Sequence, residues 1–143
     1  MKKLIGLPVI RNGKQIGTVE RGVLQKDGKA LAGLLVKEGL RASRWLGAES
    51  IILLGQLSVL CRTSPVRPPK ESAFRLFRVT DANGLRIGIV TDALISEQSL
   101  AVTALEISSG PLDDLIDGRF FATSFDVKSI GATGHVTIPC KES

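Results

Sequence analysis

The sequence repeats itself at an offset of 71 residues, so that residues 12–19 align with residues 83–90. Beyond Gly39 the alignment needs a gap, because Gly55 aligns with Gly131, and the second copy is therefore longer by five residues. A repeat of about 70 residues is too long for a solenoid unit and predicts a duplicated domain. Eight of the 28 positions from 12 to 39 are identical in the second copy: Asn12, Gly13, Ile16, Gly17, Val19, Ala30, Leu34 and Gly39.

Both copies have the pattern of short strands joined by tight turns. Asn12-Gly13 and Asn83-Gly84 each lie between apolar runs, and Asn-Gly favours a hairpin because both residues tolerate positive φ. Asp27-Gly28 predicts a second hairpin in the first copy. No long stretch has a helical period, although a short helical turn is expected in the second copy, at 97–100 or 111–117. The sequence therefore predicts an all-β chain of two small tandem antiparallel β-barrels.

A proline-rich segment separates the two copies. Three of the six prolines, Pro65, Pro68 and Pro69, lie there. Proline fixes φ and cannot donate to a β-ladder, so the segment is predicted to be an extended connector. The predicted organisation is a basic barrel at 1–63, a linker at 64–72 and an acidic barrel at 73–143.

The glycine-based motifs of the two copies carry a resemblance. The pattern Leu-x-x-Val-x-x-x-x-Gly-x-x-Ile-Gly-x-Val, an apolar strand, a later Gly and a final Ser-Ile-x-x-x-Gly resemble the PRC-barrel family. That barrel is named for the photosynthetic reaction-centre H subunit and also forms the C-terminal part of the ribosome maturation factor RimM. The resemblance covers 6–61 and 76–139, and it implies an antiparallel β-barrel that serves as a docking module without catalytic residues. The chain departs from both relatives, since we expect neither a transmembrane segment nor a preceding RimM-type domain.

Few residues suggest catalysis or metal binding. The single His135 makes a Ser–His or Cys–His pair improbable and is expected to be a surface or rim residue. Cys61 and Cys140 are expected to be reduced thiols at buried or edge positions. The best acidic cluster is expected to be a solvated loop, with a cation site as the open alternative; it consists of Asp113, Asp114 and Asp117, with Glu106 on the preceding strand. We predict no enzymatic activity, no cofactor and no metal.

Charge is distributed unevenly between the halves. Residues 1–70 carry thirteen Lys or Arg against four Asp or Glu, a charge of +9, whereas residues 71–143 carry six against ten, a charge of −4. The first barrel is thus expected to face an anionic partner, unless its cations form only a solvated face. Trp45 is the only aromatic residue of the basic half, which disfavours single-stranded RNA because base stacking normally uses several aromatics. Structured RNA, an acidic or ribosomal protein, and the acidic barrel of another copy stay open.

Together these features predict a non-enzymatic docking or adaptor module that binds protein partners. The alternative is an RNA or ribosome-assembly binder that uses the basic barrel. We expect a cytoplasmic protein, because Pro8 interrupts the apolar run near the start and no apolar run approaches the roughly 20 residues of a membrane helix.

Two sets of residues are candidate partner-binding sites. Arg41 and Arg44 flank the only tryptophan, and Arg and Trp are enriched at binding hot spots; the alternative is that Trp45 plugs the open end of its barrel. Strand alternation gives the second set. Glu106 is costly to bury, so its face should be the outer one, and the repeat then places Leu31 and Leu35 on the outer face of the first copy. We predict that both leucines are covered, by the second barrel or by another chain.

Overall fold

The computed structural model describes residues 4–69, 76–110, 118–130 and 133–139, and strands dominate these residues. The first copy contains β1 (Pro8–Arg11), β2 (Lys14–Leu24), β3 (Leu31–Lys37), β4 (Arg44–Gly47), β5 (Ile51–Leu54) and β6 (Val59–Cys61). The second contains β7 (Leu76–Asp81), β8 (Arg86–Ile95), β9 (Val102–Ser108), β10 (Phe120–Ala122), β11 (Asp126–Ile130) and β12 (Thr133–Ile138).

The two copies share one topology. Each forms a six-stranded sheet, in the order β4-β3-β2-β1-β6-β5 and β10-β9-β8-β7-β12-β11. The bulges in the β2–β3 pair recur in the β8–β9 pair, each shifted by the same 71 residues. The prediction of an all-β chain with two tandem barrel-like units is confirmed.

Chain connectivity forces each sheet to curl. β4 and β5 are opposite edges of the first sheet, yet only Ala48–Ser50, a 3₁₀ turn, separates them along the chain. That connection spans at most about 14 Å, whereas the edges of a flat six-stranded sheet lie about 24 Å apart. The short crossover also makes β6 run parallel to β1, as β12 does to β7, so the expectation of purely antiparallel barrels was wrong for this one pair in each copy.

The repeated Ile-Gly motif exists because two strands approach each other closely. A Cβ on Gly17 would lie 2.5 Å from Cγ1 of Val36 and 2.9 Å from the carbonyl oxygen of Lys37. A Cβ on Gly88 would overlap the carbonyl oxygen of Ser108, which is the position equivalent to Lys37. Glycine is thus required at both positions by a neighbouring backbone.

The predicted Asn-Gly turns occur at equivalent places but differ in length. Asn12 and Gly13 both have positive φ, 52° and 78°, as a two-residue type I′ hairpin requires. The second turn is one residue longer, and in it only Gly84 has positive φ, 82°. The carboxylate of Asp81 accepts hydrogen bonds from the backbone N–H groups of Asn83 and Leu85, both at 2.9 Å, which stabilises the longer loop.

The two copies meet through a locally two-fold symmetric contact. The N–H of Leu31 donates to the carbonyl of Leu100 at 2.9 Å, and the N–H of Val102 donates to the carbonyl of Lys29 at 2.8 Å. Each bond is the 71-residue equivalent of the other. The buried apolar residues of both copies form one continuous cluster, so the copies share a core.

This contact explains the burial of Leu31. Its side chain is 1% exposed and lines a cavity of about 110 Å³ whose opposite wall is residues 90–93 and Ile95. Leu35 is 6% exposed, on the same strand. The prediction that both leucines are covered is confirmed, and for Leu31 the cover is the second copy.

Glu106 corrects a prediction from the sequence. We expected an exposed outer-face residue, but Glu106 is 4% exposed. Burial is possible because the Thr91 hydroxyl donates to its carboxylate at 3.0 Å and Nη1 of Arg119 lies 3.2 Å away. The inward half of the same prediction holds, since Leu105 and Ile107 are fully buried in the core.

Two other predicted segments differ from expectation or lie outside the described residues. Residues 97–100 form a turn, closed by the N–H of Leu100 and the carbonyl of Ser96 at 2.9 Å, and not a helix. Residues 111–117 are not described. The linker begins as an added edge of the first sheet, because Val66 exchanges two backbone hydrogen bonds with Trp45, at 2.7 and 2.8 Å. The exact domain boundaries stay a prediction.

Candidate functional site

A groove of about 590 Å³ opens on the first repeat and is lined mainly by basic residues. Its walls are the β1–β2 hairpin, the end of β3, the loop before β4 and the start of the linker. Four of its lining side chains are cations, and Glu38 is the single acid. The cations, which we call the groove cations, are Arg11, Lys14, Arg41 and Arg44.

The loop that carries Arg41 is held at both ends. Gly39 adopts φ 59°, and the N–H of Arg41 donates to the carbonyl of Glu38 at 3.2 Å, which closes a turn. Ser43 then donates its hydroxyl hydrogen bond to the carboxylate of Glu20 on β2. The chain enters β4 with Arg44 as its first residue, so the loop places two arginines on one side of the groove.

Arg11 joins the hairpin to the linker. Its Nη1 donates to the Ser64 hydroxyl at 3.0 Å. Its Nε is buried and makes no hydrogen bond to the residues that the structure describes. Arg11 is therefore fixed at the base of the groove by a neutral partner, and its charge is not neutralised there.

The other groove cations also keep most of their charge. Arg41 lies 3.8 Å from Glu38, and both side chains are largely exposed, so this pair is worth little. Lys14 and Arg44 are exposed and make no side-chain hydrogen bond or ion pair within the described ranges. The groove therefore carries a net positive charge toward solvent, the electrostatic requirement for binding an anionic group.

The structure separates the residues that the sequence grouped together. Arg41 and Arg44 line the groove, whereas strand alternation turns Trp45 to the opposite face. There its ring lies over Gly33, where it leaves no room for a Cβ. Leu35 is the cross-strand neighbour of Trp45 and shares this outer face. Trp45 thus packs outside the strand and neither lines the groove nor belongs to the core cluster.

Sequence reasoning missed Arg11 and Lys14. Both flank the Asn12-Gly13 turn, so the basic hairpin tip was visible in the sequence. Nothing local indicated that this tip would face residues 41–44, because the β1–β2 hairpin and the β3–β4 loop meet only in the folded sheet.

Cys61 is a buried free thiol on β6. Burial raises its pKa, and the nearby Arg11 charge opposes that shift. The folded protein therefore holds this proton more tightly than the unfolded chain. The stability that this contributes is complete below the ordinary pKa of the thiol and is lost as the pH rises through the raised value.

We expect iodoacetamide to react with Cys61 slowly in the native protein at pH 8, because the reagent needs an accessible thiolate. Labelling followed by mass spectrometry in a Cys140→Ser variant would isolate this thiol. Reaction should be at least about tenfold faster in denaturing urea. Equal rates in the two conditions would show that Cys61 is accessible.

The remaining candidates show no second centre in the described ranges. No group of three His, Cys, Asp or Glu residues capable of holding a metal occurs there. His135 lies exposed on β12, between Arg78 and Lys128 on the adjacent strands. Asp113, Asp114, Asp117 and Cys140 lie outside the described residues. In the part that is described, no helix has the length and apolar character needed to cross a membrane.

Comparison of the sequence with protein-family models and with curated proteins gives no significant match.

Proposed function

We propose that this chain is a non-enzymatic docking module of the PRC-barrel type that binds an acidic protein surface through the basic groove of its first repeat. The observation that carries the proposal is the convergence of the four groove cations from three separate elements around one acid, Glu38. Carboxylate side chains of a partner would accept charge-assisted hydrogen bonds from these arginines. A cytoplasmic location is part of the proposal.

An apolar surface on the same repeat favours protein over nucleic acid. β5 is an edge of the first sheet, and Ile52 and Leu53 on it are 58% and 50% exposed, with Leu57 in the next turn 84% exposed. The hairpin from Ser50 to Cys61 has no charged residue. Protein interfaces combine apolar area with charged contacts, whereas nucleic-acid interfaces are more polar and more basic.

Structured RNA is the second candidate, and the charge of +9 on residues 1–70 is the observation that favours it. The two candidates differ in salt dependence, because RNA binding releases condensed counterions and weakens steeply as salt rises. They also differ in ligand preference, which can be measured directly.

The test is a double charge reversal, Arg41→Glu with Arg44→Glu. A fluorescent twelve-residue peptide of alternating Glu and Gly is the protein-like probe, and an RNA hairpin is the competing probe. Each reversal replaces an attraction by a repulsion and should cost about 1 kcal/mol, so the pair should weaken peptide binding about 30-fold. The melting temperature should stay within about 2 °C, since both side chains are exposed.

Arg62→Glu with Arg67→Glu is the matched control, because it makes the same change in net charge at exposed sites outside the groove. The control should weaken binding no more than about threefold. Equal losses in both variants would reduce the groove to a nonspecific charge effect. Tighter binding of the RNA hairpin than of the peptide at about 150 mM salt would replace the acidic protein with RNA as the ligand.

A further inference from the structure

A second groove lies on the second repeat at the position equivalent to the first. Its volume is about 620 Å³, close to that of the basic groove. Arg86, Ile87 and Ser109 line it, and their equivalents Gln15, Ile16 and Glu38 line the first groove. The duplication therefore reproduced the groove together with the sheet.

The second groove is basic although its repeat is acidic. Arg86 and Arg119 are its charged lining residues within the described ranges, and no carboxylate lines it there. Residues 71–143 carry a charge of −4, so an average surface of this repeat would be acidic. At two groove positions the second repeat is more basic than the first: Arg86 replaces Gln15, and Ser109 replaces Glu38.

Buried Glu106 organises this groove. Its carboxylate lies 3.2 Å from Nη1 of Arg119 and accepts the hydroxyl hydrogen bond of Thr91 at 3.0 Å, and both partners line the groove. A carboxylate on a residue only 4% exposed is costly unless it is paired, and here the pair fixes a guanidinium at the groove wall. The guanidinium of Arg has five N–H donors, so one that is held through Nη1 can still donate to a second anion.

We propose that the second groove is a second carboxylate-binding site, so that the chain binds an acidic protein segment at two equivalent positions. Arg86 and Arg119 donate to the ligand carboxylate, and Glu106 acts as a positioning residue for Arg119. The choice of an acidic segment as ligand rests on the proposed function above. Two linked sites would raise the affinity for a long acidic segment beyond that of either groove alone.

The second site is expected to be the weaker one. It has two lining cations against four in the first groove. In addition, the chain between Gly110 and Arg119 contains Asp113, Asp114 and Asp117, whose negative charges oppose an anion wherever that segment lies within a Debye length.

The experiment is calorimetric titration of the full chain with the Glu-Gly dodecapeptide. The wild type should bind two peptides per chain. The Arg41→Glu/Arg44→Glu variant should retain the weaker site alone, and adding Arg86→Gln should lower that affinity about tenfold or more, as expected for removal of one hydrogen bond to a charged group. Arg86→Gln installs the residue of the first repeat and leaves the Glu106–Arg119 pair intact, so the fold is preserved.

Arg78→Gln is the matched control, since it removes an exposed cation from the same repeat outside the groove. It should change the weaker affinity less than about twofold. Binding of one peptide that is abolished by Arg41→Glu/Arg44→Glu would overturn the second site and leave the proposed function standing. Binding of one peptide that depends on Arg86 alone would support the second site and overturn the first. No binding at either groove would overturn both.

Discussion

Gly88→Ala is expected to destabilise the protein by about 3 kcal/mol, because the new methyl group would overlap the carbonyl oxygen of Ser108 on the paired strand. Backbone atoms cannot turn away as a side chain can, so β8 and β9 would have to separate at this point. Urea unfolding followed by circular dichroism would measure the change in the free energy of unfolding.

Ser109→Ala is the control, since Ser109 is exposed and directly follows the crowded carbonyl residue. It should change the free energy of unfolding by less than about 0.5 kcal/mol. Gly17→Ala meets Val36 and Lys37 in the equivalent place and should be similarly damaging. A destabilisation below about 1 kcal/mol for Gly88→Ala would mean that the strands are not packed as closely as described.

Leu31→Ala is expected to cost about 2–5 kcal/mol and to loosen both repeats. Leu31 is almost fully buried, and its side chain shares a cavity wall with β8 of the second repeat. Hydrogen exchange should therefore show reduced amide protection in β3 and in β8, even though the two strands belong to different sheets.

Leu35→Ala is a matched comparison, because it deletes the same atoms from a buried leucine on the same strand. Its neighbours on its face are Arg21 and Trp45, both of the first repeat. Protection should fall in the first sheet and stay unchanged in β8. Unchanged protection of β8 in Leu31→Ala as well would show that the repeats do not depend on this contact.

The local pattern predicted most of the secondary structure. Asn12-Gly13 forms its hairpin because positive φ is a property of those two residues and needs no distant partner. The 71-residue repeat predicted two similar units, and both sheets indeed have the same strand order. The extra residue in the Asp81–Leu85 turn was not predicted, because the sequence signal Asn-Gly is the same in both copies.

Face assignment succeeded for the inward residues and failed for exposure of the outward ones. Alternation fixes which residues share a face, so Leu105 and Ile107 were placed correctly in the core. Whether the other face meets water depends on what else packs there. Glu106 was therefore misjudged, since its partners Thr91 and Arg119 lie 15 and 13 residues away.

The sequence by itself determined the duplication, the all-β character, the tight turns and the division of charge between the halves, since each of these follows from residue types and short-range spacing. Only the tertiary structure decided that Leu31 is covered by the second repeat, that Trp45 turns away from Arg41 and Arg44, and that the groove cations converge. These features depend on sheet curling and on contacts between segments distant in sequence. Such contacts are set by the packing of the whole chain, and local periodicity does not encode them.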